Sequence, residues 1–124
     1  MSSVELSIPA DPTAARFRRV NPSINEVTAQ ELAAELHDII ACVQRHCAAQ
    51  PRPYPAFEEN EVIQTLVHTV VDFSTSDKDA AANEGEWLME MLTLLGGHKL
   101  YLRYMRLFDR VNGTDLVTEC GLDC

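Results

Sequence analysis

Glu61-Val62-Ile63-Gln64-Thr65-Leu66-Val67-His68-Thr69-Val70-Val71-Asp72 is the stretch that decides the fold class. Its apolar residues come in pairs, 62–63, 66–67 and 70–71, that return every four positions, with polar side chains between them. That period predicts a helix, whereas the branched Val, Ile and Thr side chains favour a strand. The period decides, because the pattern from about Phe57 to Phe73 is longer than a typical strand.

Upstream, Leu32, Leu36, Ile39, Ile40, Val43 and Cys47 recur at three- and four-residue spacing and predict a second amphipathic helix. Thr28-Ala29-Gln30-Glu31 reads as its capping box, so the helix is expected to start near Thr28. Pro51, Pro53 and Pro55 end it. Downstream, Ser76-Asp77-Lys78-Asp79 opens a third helix, with Ser76 as N-cap, that runs to Leu95 and stops at Gly96-Gly97. Gly85 inside it costs about 1 kcal/mol relative to Ala, which implies compensating packing or a close backbone. A fourth helix spans about His98 to Val111, and Thr114 is placed to cap one short last turn.

The expected architecture is therefore all-α: a compact bundle of four main helices, with an extended N-terminal arm and a short C-terminal turn. The arm covers residues 1–25, where Pro9, Pro12 and Pro22 interrupt any helix, and a single helical domain covers residues 26–124. Arg16, Arg18 and Arg19 around Phe17 make the arm the cationic exception in an acidic chain.

A chain of 124 residues with 46% hydrophobic and 23% charged residues suits one domain that folds without metal or disulfide. A formal charge of −9 argues against direct nucleic-acid binding, which needs Lys and Arg to neutralise phosphates, and suits a basic protein partner. Met1-Ser2-Ser3-Val4-Glu5-Leu6-Ser7 has neither a cationic start nor an apolar run, and no stretch is apolar enough to span a bilayer. A cytoplasmic protein with four reduced cysteines and no membrane association is the expectation.

The sequence contains no nucleophile elbow, Gly-rich phosphate loop, His-Glu-x-x-His or EF-hand loop, so an enzyme is disfavoured and no cofactor is called for. His68 and Asp72, four apart, could hold an imidazole for acid–base work, and an ordinary surface pair explains them equally well. Cys42 and His46 with Cys120 and Cys124 are a weak candidate for a tetrahedral zinc site, and no metal is expected there.

The last two helices carry more Trp, Met, Tyr and Arg than one apolar stripe needs. Lys99, Arg103, Arg106 and Arg110 form a cationic row, read first as a solvated face paired with Glu84, Glu86 or Glu90. The leading functional reading is a small acidic protein-binding module, a regulator, adaptor, chaperone-like factor or inhibitor, acting by occlusion or tethering and as a homodimer. Its contact residues would be Trp87, Met91, Tyr101 and Tyr104 as anchors, with Arg103 and Arg106, and Glu58, Glu59 and Glu61 steering a basic partner. The alternative is a small-molecule binder or an enzyme of unrecognised type. Its pocket would lie between helices and be lined by Tyr101, Tyr104 and Trp87, with Arg103 or Arg106 on an anionic group. A sizeable enclosed pocket favours the second reading, and a flat exposed apolar patch favours the first.

Overall fold

The computed structural model describes residues 12–49, 59–73 and 77–122. Among them it contains helices and no strand: α1 (Pro12–Val20), α2 (Glu26–Ala48), α3 (Glu59–Asp72), α4 (Lys78–Asn112) and α5 (Leu116–Glu119). The all-α bundle expected from the sequence is what forms. In α3 the four-residue period prevails over β-branching, and Val62, Leu66 and Val70 are wholly buried along one face.

α4 packs against each of the other four helices. It is bent at Gly97, whose φ of 76° and ψ of −177° lie where only glycine is comfortable. The bend divides α4 into limbs 78–96 and 98–112, the two separate helices that Gly96-Gly97 implied. Gly96 is needed for its size: a Cβ there would lie 2.6 Å from Leu100 Cδ2 and 2.7 Å from Leu100 Cβ. Leu100 itself is buried, so the second limb starts its core face in the space that glycine leaves.

Two side chains of the second limb fix its register on α3. The Tyr104 hydroxyl donates to the Leu66 carbonyl at 2.6 Å, and Asn112 Nδ2 donates to the Val70 carbonyl at 3.0 Å, one turn further on. Tyr104 is almost fully buried, so this bond satisfies a hydroxyl that burial would otherwise leave without water.

Three local expectations need correction. α2 starts at Glu26, not near Thr28: Asn25 is the N-cap, its Oδ1 accepting from the Thr28 amide at 2.8 Å. The earlier cap wins because Ile24 and Ala29, at the two staple positions around it, are both buried. The short last turn is α5, yet the group that caps it is Asp109, not Thr114. Asp109 accepts from the Leu116 and Val117 amides, each at 3.0 Å, and from the Thr114 hydroxyl at 2.6 Å. Ser76 lies outside the described residues, as do Pro51, Pro53 and Pro55.

The third correction concerns the arm. Residues 1–11 lie outside the described region, but residues 12–20 form α1 rather than an extended segment, and α1 packs on α2, α3 and α4. Pro12 occupies the first helical position, where its missing N–H costs nothing and its fixed φ already suits a helix. Ala14 and Phe17 face the common core, Phe17 with no exposed surface, while Arg18 reaches the Ile24 carbonyl at 3.3 Å. α1 thus belongs to the bundle. Phe17→Ala is expected to lower stability by about 3–5 kcal/mol, the cost of truncating a buried aromatic. Urea unfolding measures it, and an unchanged midpoint would return α1 to the status of an appendage.

Candidate functional site

One face of the first limb of α4 carries Lys78, Ala81, Ala82, Gly85 and Leu88, spaced as one helical stripe. Between Lys78 and Leu88 every side chain on this stripe is a methyl group or a hydrogen. Opposite, the second limb presents Tyr101, Tyr104, Met105 and Phe108, joined by Thr69 of α3 and Phe73 just after it. Short side chains cannot fill the gap. The result is a half-open, mainly apolar pocket of about 580 Å³, closed on its far side by Leu116, Cys120 and Leu122 around α5. That volume lies within the range of roughly 300–1,000 Å³ usual for small-molecule sites. A Cβ placed on Gly85 would meet nothing within 4 Å. Neither of the compensations that its position in a helix implied, packing or a close backbone, is present; Gly85 borders open space.

Contacts among the lining residues and their neighbours hold the walls apart. Phe73 and Phe108 meet edge to face, centroids 4.7 Å apart. On the far wall, Leu122 is tied back by its amide to the Val117 carbonyl at 2.8 Å, and its own carbonyl takes a bond from His98 Nε2 at 2.7 Å. Of the lining hydroxyls, that of Tyr104 is committed to Leu66, and that of Thr69 donates to Glu84 at 3.4 Å. The Tyr101 hydroxyl makes no hydrogen bond among the described residues, although Tyr101 is only 9% exposed. Burial, and then the neighbouring Cys120, push the Tyr101 pKa up, so the phenol stays protonated.

Compared with known protein families, curated proteins and solved structures, the chain matches none. Its function has to be read from the site alone.

Of the six residues singled out from the sequence, the pocket gathers two, Tyr101 and Tyr104. Tyr104 is 1% exposed and Met91 8%, which makes both core residues rather than surface anchors. Trp87 is half-buried against the core and does not line the pocket. Arg103 and Arg106 lie on the opposite side of α4, in an open groove with Glu31 and Glu35 of α2. The small residues Ala81, Ala82 and Gly85 were missed. Their signal was present as an apolar stripe in register with Leu88 whose side chains are too short to pack.

The cationic row is not paired with Glu84, Glu86 or Glu90. Arg103 forms a two-pronged bond to Glu35 of α2, at 2.6 and 2.9 Å, with Asp38 at 3.8 Å. The tyrosine face of the second limb turns toward the first limb and α3, which leaves the arginines facing α2. The hydrogen bonds from Arg103 hold the Glu35 carboxyl below its ordinary pKa, against a smaller opposing effect of burial. Glu84 goes instead to α3, where His68 sits between two carboxylates: Nε2 is 3.3 Å from Asp72 and Nδ1 3.2 Å from Glu84. With both nitrogens engaged, the imidazole clasps α3 to α4. Cys42 and Cys120 are free thiols, Cys42 on the Arg103 side and Cys120 at the pocket, while Cys124 lies outside the described residues. Among the described residues no three His, Cys, Asp or Glu side chains gather as metal ligands.

Arg103→Met is expected to cost about 0.5–1 kcal/mol at neutral pH, the range for a partly exposed pair. Because the folded pKa of Glu35 is lowered, the stabilisation is fully present above the ordinary carboxylate range and is lost as pH falls through the lowered value. The difference between wild type and variant in urea unfolding should therefore shrink on acidification. A gap that stays constant to strongly acid pH would show that the pair contributes nothing.

Proposed function

We propose that this protein binds an apolar small molecule in the pocket between α3, the two limbs of α4 and α5. The observation that supports it most is Gly85. A glycine within a helix costs about 1 kcal/mol, and among the described residues what its missing side chain provides is room in the pocket. The volume, the apolar walls and the few polar groups are the usual attributes of a ligand site. The walls offer no arrangement of nucleophile and base, so binding rather than turnover is the reading.

Gly85→Leu is the informative variant. It should gain about 1 kcal/mol from helix propensity while its side chain fills the cavity. Wild type is expected to bind the neutral apolar fluorophore N-phenylnaphthylamine saturably, and Gly85→Leu to lose that binding while melting at a higher temperature. Equal binding by the two proteins would place the fluorophore elsewhere and count against the pocket.

A second reading, the protein-binding homodimer, is favoured by one feature of the first limb. Trp87 and Leu94 lie seven residues apart on one helical face, and Leu94 is 55% exposed. If this face meets a second copy or another protein, the anchors are Trp87 and Leu94, not Tyr101 and Tyr104. Light scattering behind size-exclusion chromatography should then show a wild-type dimer that Leu94→Glu converts to a folded monomer. A wild-type monomer at micromolar concentration removes the homodimer.

A further inference from the structure

We infer that the ligand is an unbranched aliphatic chain bearing an oxygen acceptor, a fatty acyl group, with its chain along the first limb of α4 and its oxygen on the Tyr101 hydroxyl. This rests on the pocket reading above. It draws on two observations independent of each other, the shape of the lining and an uncommitted phenol.

The shape comes from the stripe. Lys78 and Leu88 both line the pocket and stand ten residues apart, about 15 Å along a helix. Over that length the wall is made by Ala81, Ala82 and Gly85 alone. It therefore follows the helix as a trough with no side chain projecting across it. A flexible chain can lie along such a trough and touch both limbs of α4. The rings of Phe73 and Phe108 border the pocket and meet edge to face, which adds apolar surface to its wall.

The polar end comes from Tyr101. It is nine-tenths buried, it lines the pocket, and its hydroxyl has no partner among the described residues. The hydroxyl is not sealed from solvent, since it opens on the pocket, and a ligand oxygen can take its bond in place of water. The raised pKa of the phenol keeps it a donor through the neutral range. The other lining hydroxyls, of Thr69 and Tyr104, already donate elsewhere. Lys78 lines one end of the trough, but Glu84 stands beside Thr69 and the chain carries a formal charge of −9, so the surrounding field favours a neutral acyl oxygen over a carboxylate. Cys120 lies on the far wall as an exposed thiol, which gives a marker of occupancy separate from affinity.

The test uses the full chain, wild type and Tyr101→Phe. Displacement of N-phenylnaphthylamine reads the affinity of a fatty acid methyl ester, the corresponding free acid and the alkane of equal length. Peptide mass spectrometry reads the rate at which Cys120 is alkylated with and without each compound. Tyr101→Phe removes an oxygen that has no partner among the described residues, so the fold should be kept, and a melting curve checks this. The expected result is that the ester binds wild type and shields Cys120, and that Tyr101→Phe weakens the ester about tenfold, the loss of one hydrogen bond, without changing the affinity of the alkane. The free acid should bind less tightly than the ester. An ester affinity unchanged in Tyr101→Phe would overturn the placement of the oxygen while leaving the pocket reading intact. A free acid that binds more tightly than the ester overturns the neutral head group. If no chain displaces the fluorophore although Gly85→Leu abolishes its binding, the pocket exists and the acyl class is wrong. If Gly85→Leu binds as wild type does, the pocket reading itself falls.

Discussion

The fold depends on the backbone at Gly97. A straight helix of the length of α4 would be far longer than the bundle is wide and could bury only one stripe. With the left-handed φ at Gly97, and with Gly96 leaving room for Leu100, the chain presents two limbs to the same neighbours. α3 then touches both: Thr69 reaches Glu84 of the first limb, while Leu66 and Val70 take bonds from Tyr104 and Asn112 of the second. The core and the pocket are two results of that one bend. Where the first limb carries Leu88, Leu92 and Leu95, the limbs and α3 close into core. Where it carries Ala81, Ala82 and Gly85, the same geometry leaves a gap.

Charge is arranged around this frame. The acidic excess of the chain is not spread as a uniform field, because Glu35 and Asp38 are turned onto Arg103, and Asp72 and Glu84 onto His68. These contacts sit on two sides of α4, one tying it to α2 and the other to α3. Each is partly exposed, so neither adds much to stability. Their value is in register: they specify which face of the second limb meets α2, and so which face is left to line the pocket.

Much of the helical framework was legible in the sequence because large apolar residues repeat with the helical period. α2 and α3 are long enough for that period to be unmistakable, and Gly96-Gly97 announces the bend. α1 was not legible, since nine residues hold too few turns to show a period, and the prolines around it read as breakers even though Pro12 starts the helix. The cap of α2 was misplaced because Asn25 and Thr28 are both good N-cap residues with a polar partner three positions on. The choice rests on which side chains the folded core can bury. At the site, Tyr101 and Tyr104 could be foreseen, but Trp87 and Arg103 are directed elsewhere. The pocket itself was invisible to a reading that counts large apolar residues, since what creates it is their absence at 81, 82 and 85. A void has no pattern of its own until the opposite wall is known.

The far wall of the pocket differs from the rest in how it is held. α5 has only four residues, too few to be stable as an isolated helix, and it owes its form to the Asp109 carboxylate and to Val117 and Leu122 packing beneath it. Segments of this kind open at a free energy below that of global unfolding, and in amide hydrogen exchange they give up their protons first. The wall made by α3 and α4 is built on residues of the buried core. The pocket therefore joins a wall that is continuous with the core to one that hangs on four residues and a single carboxylate, so the two walls differ in what it takes to displace them.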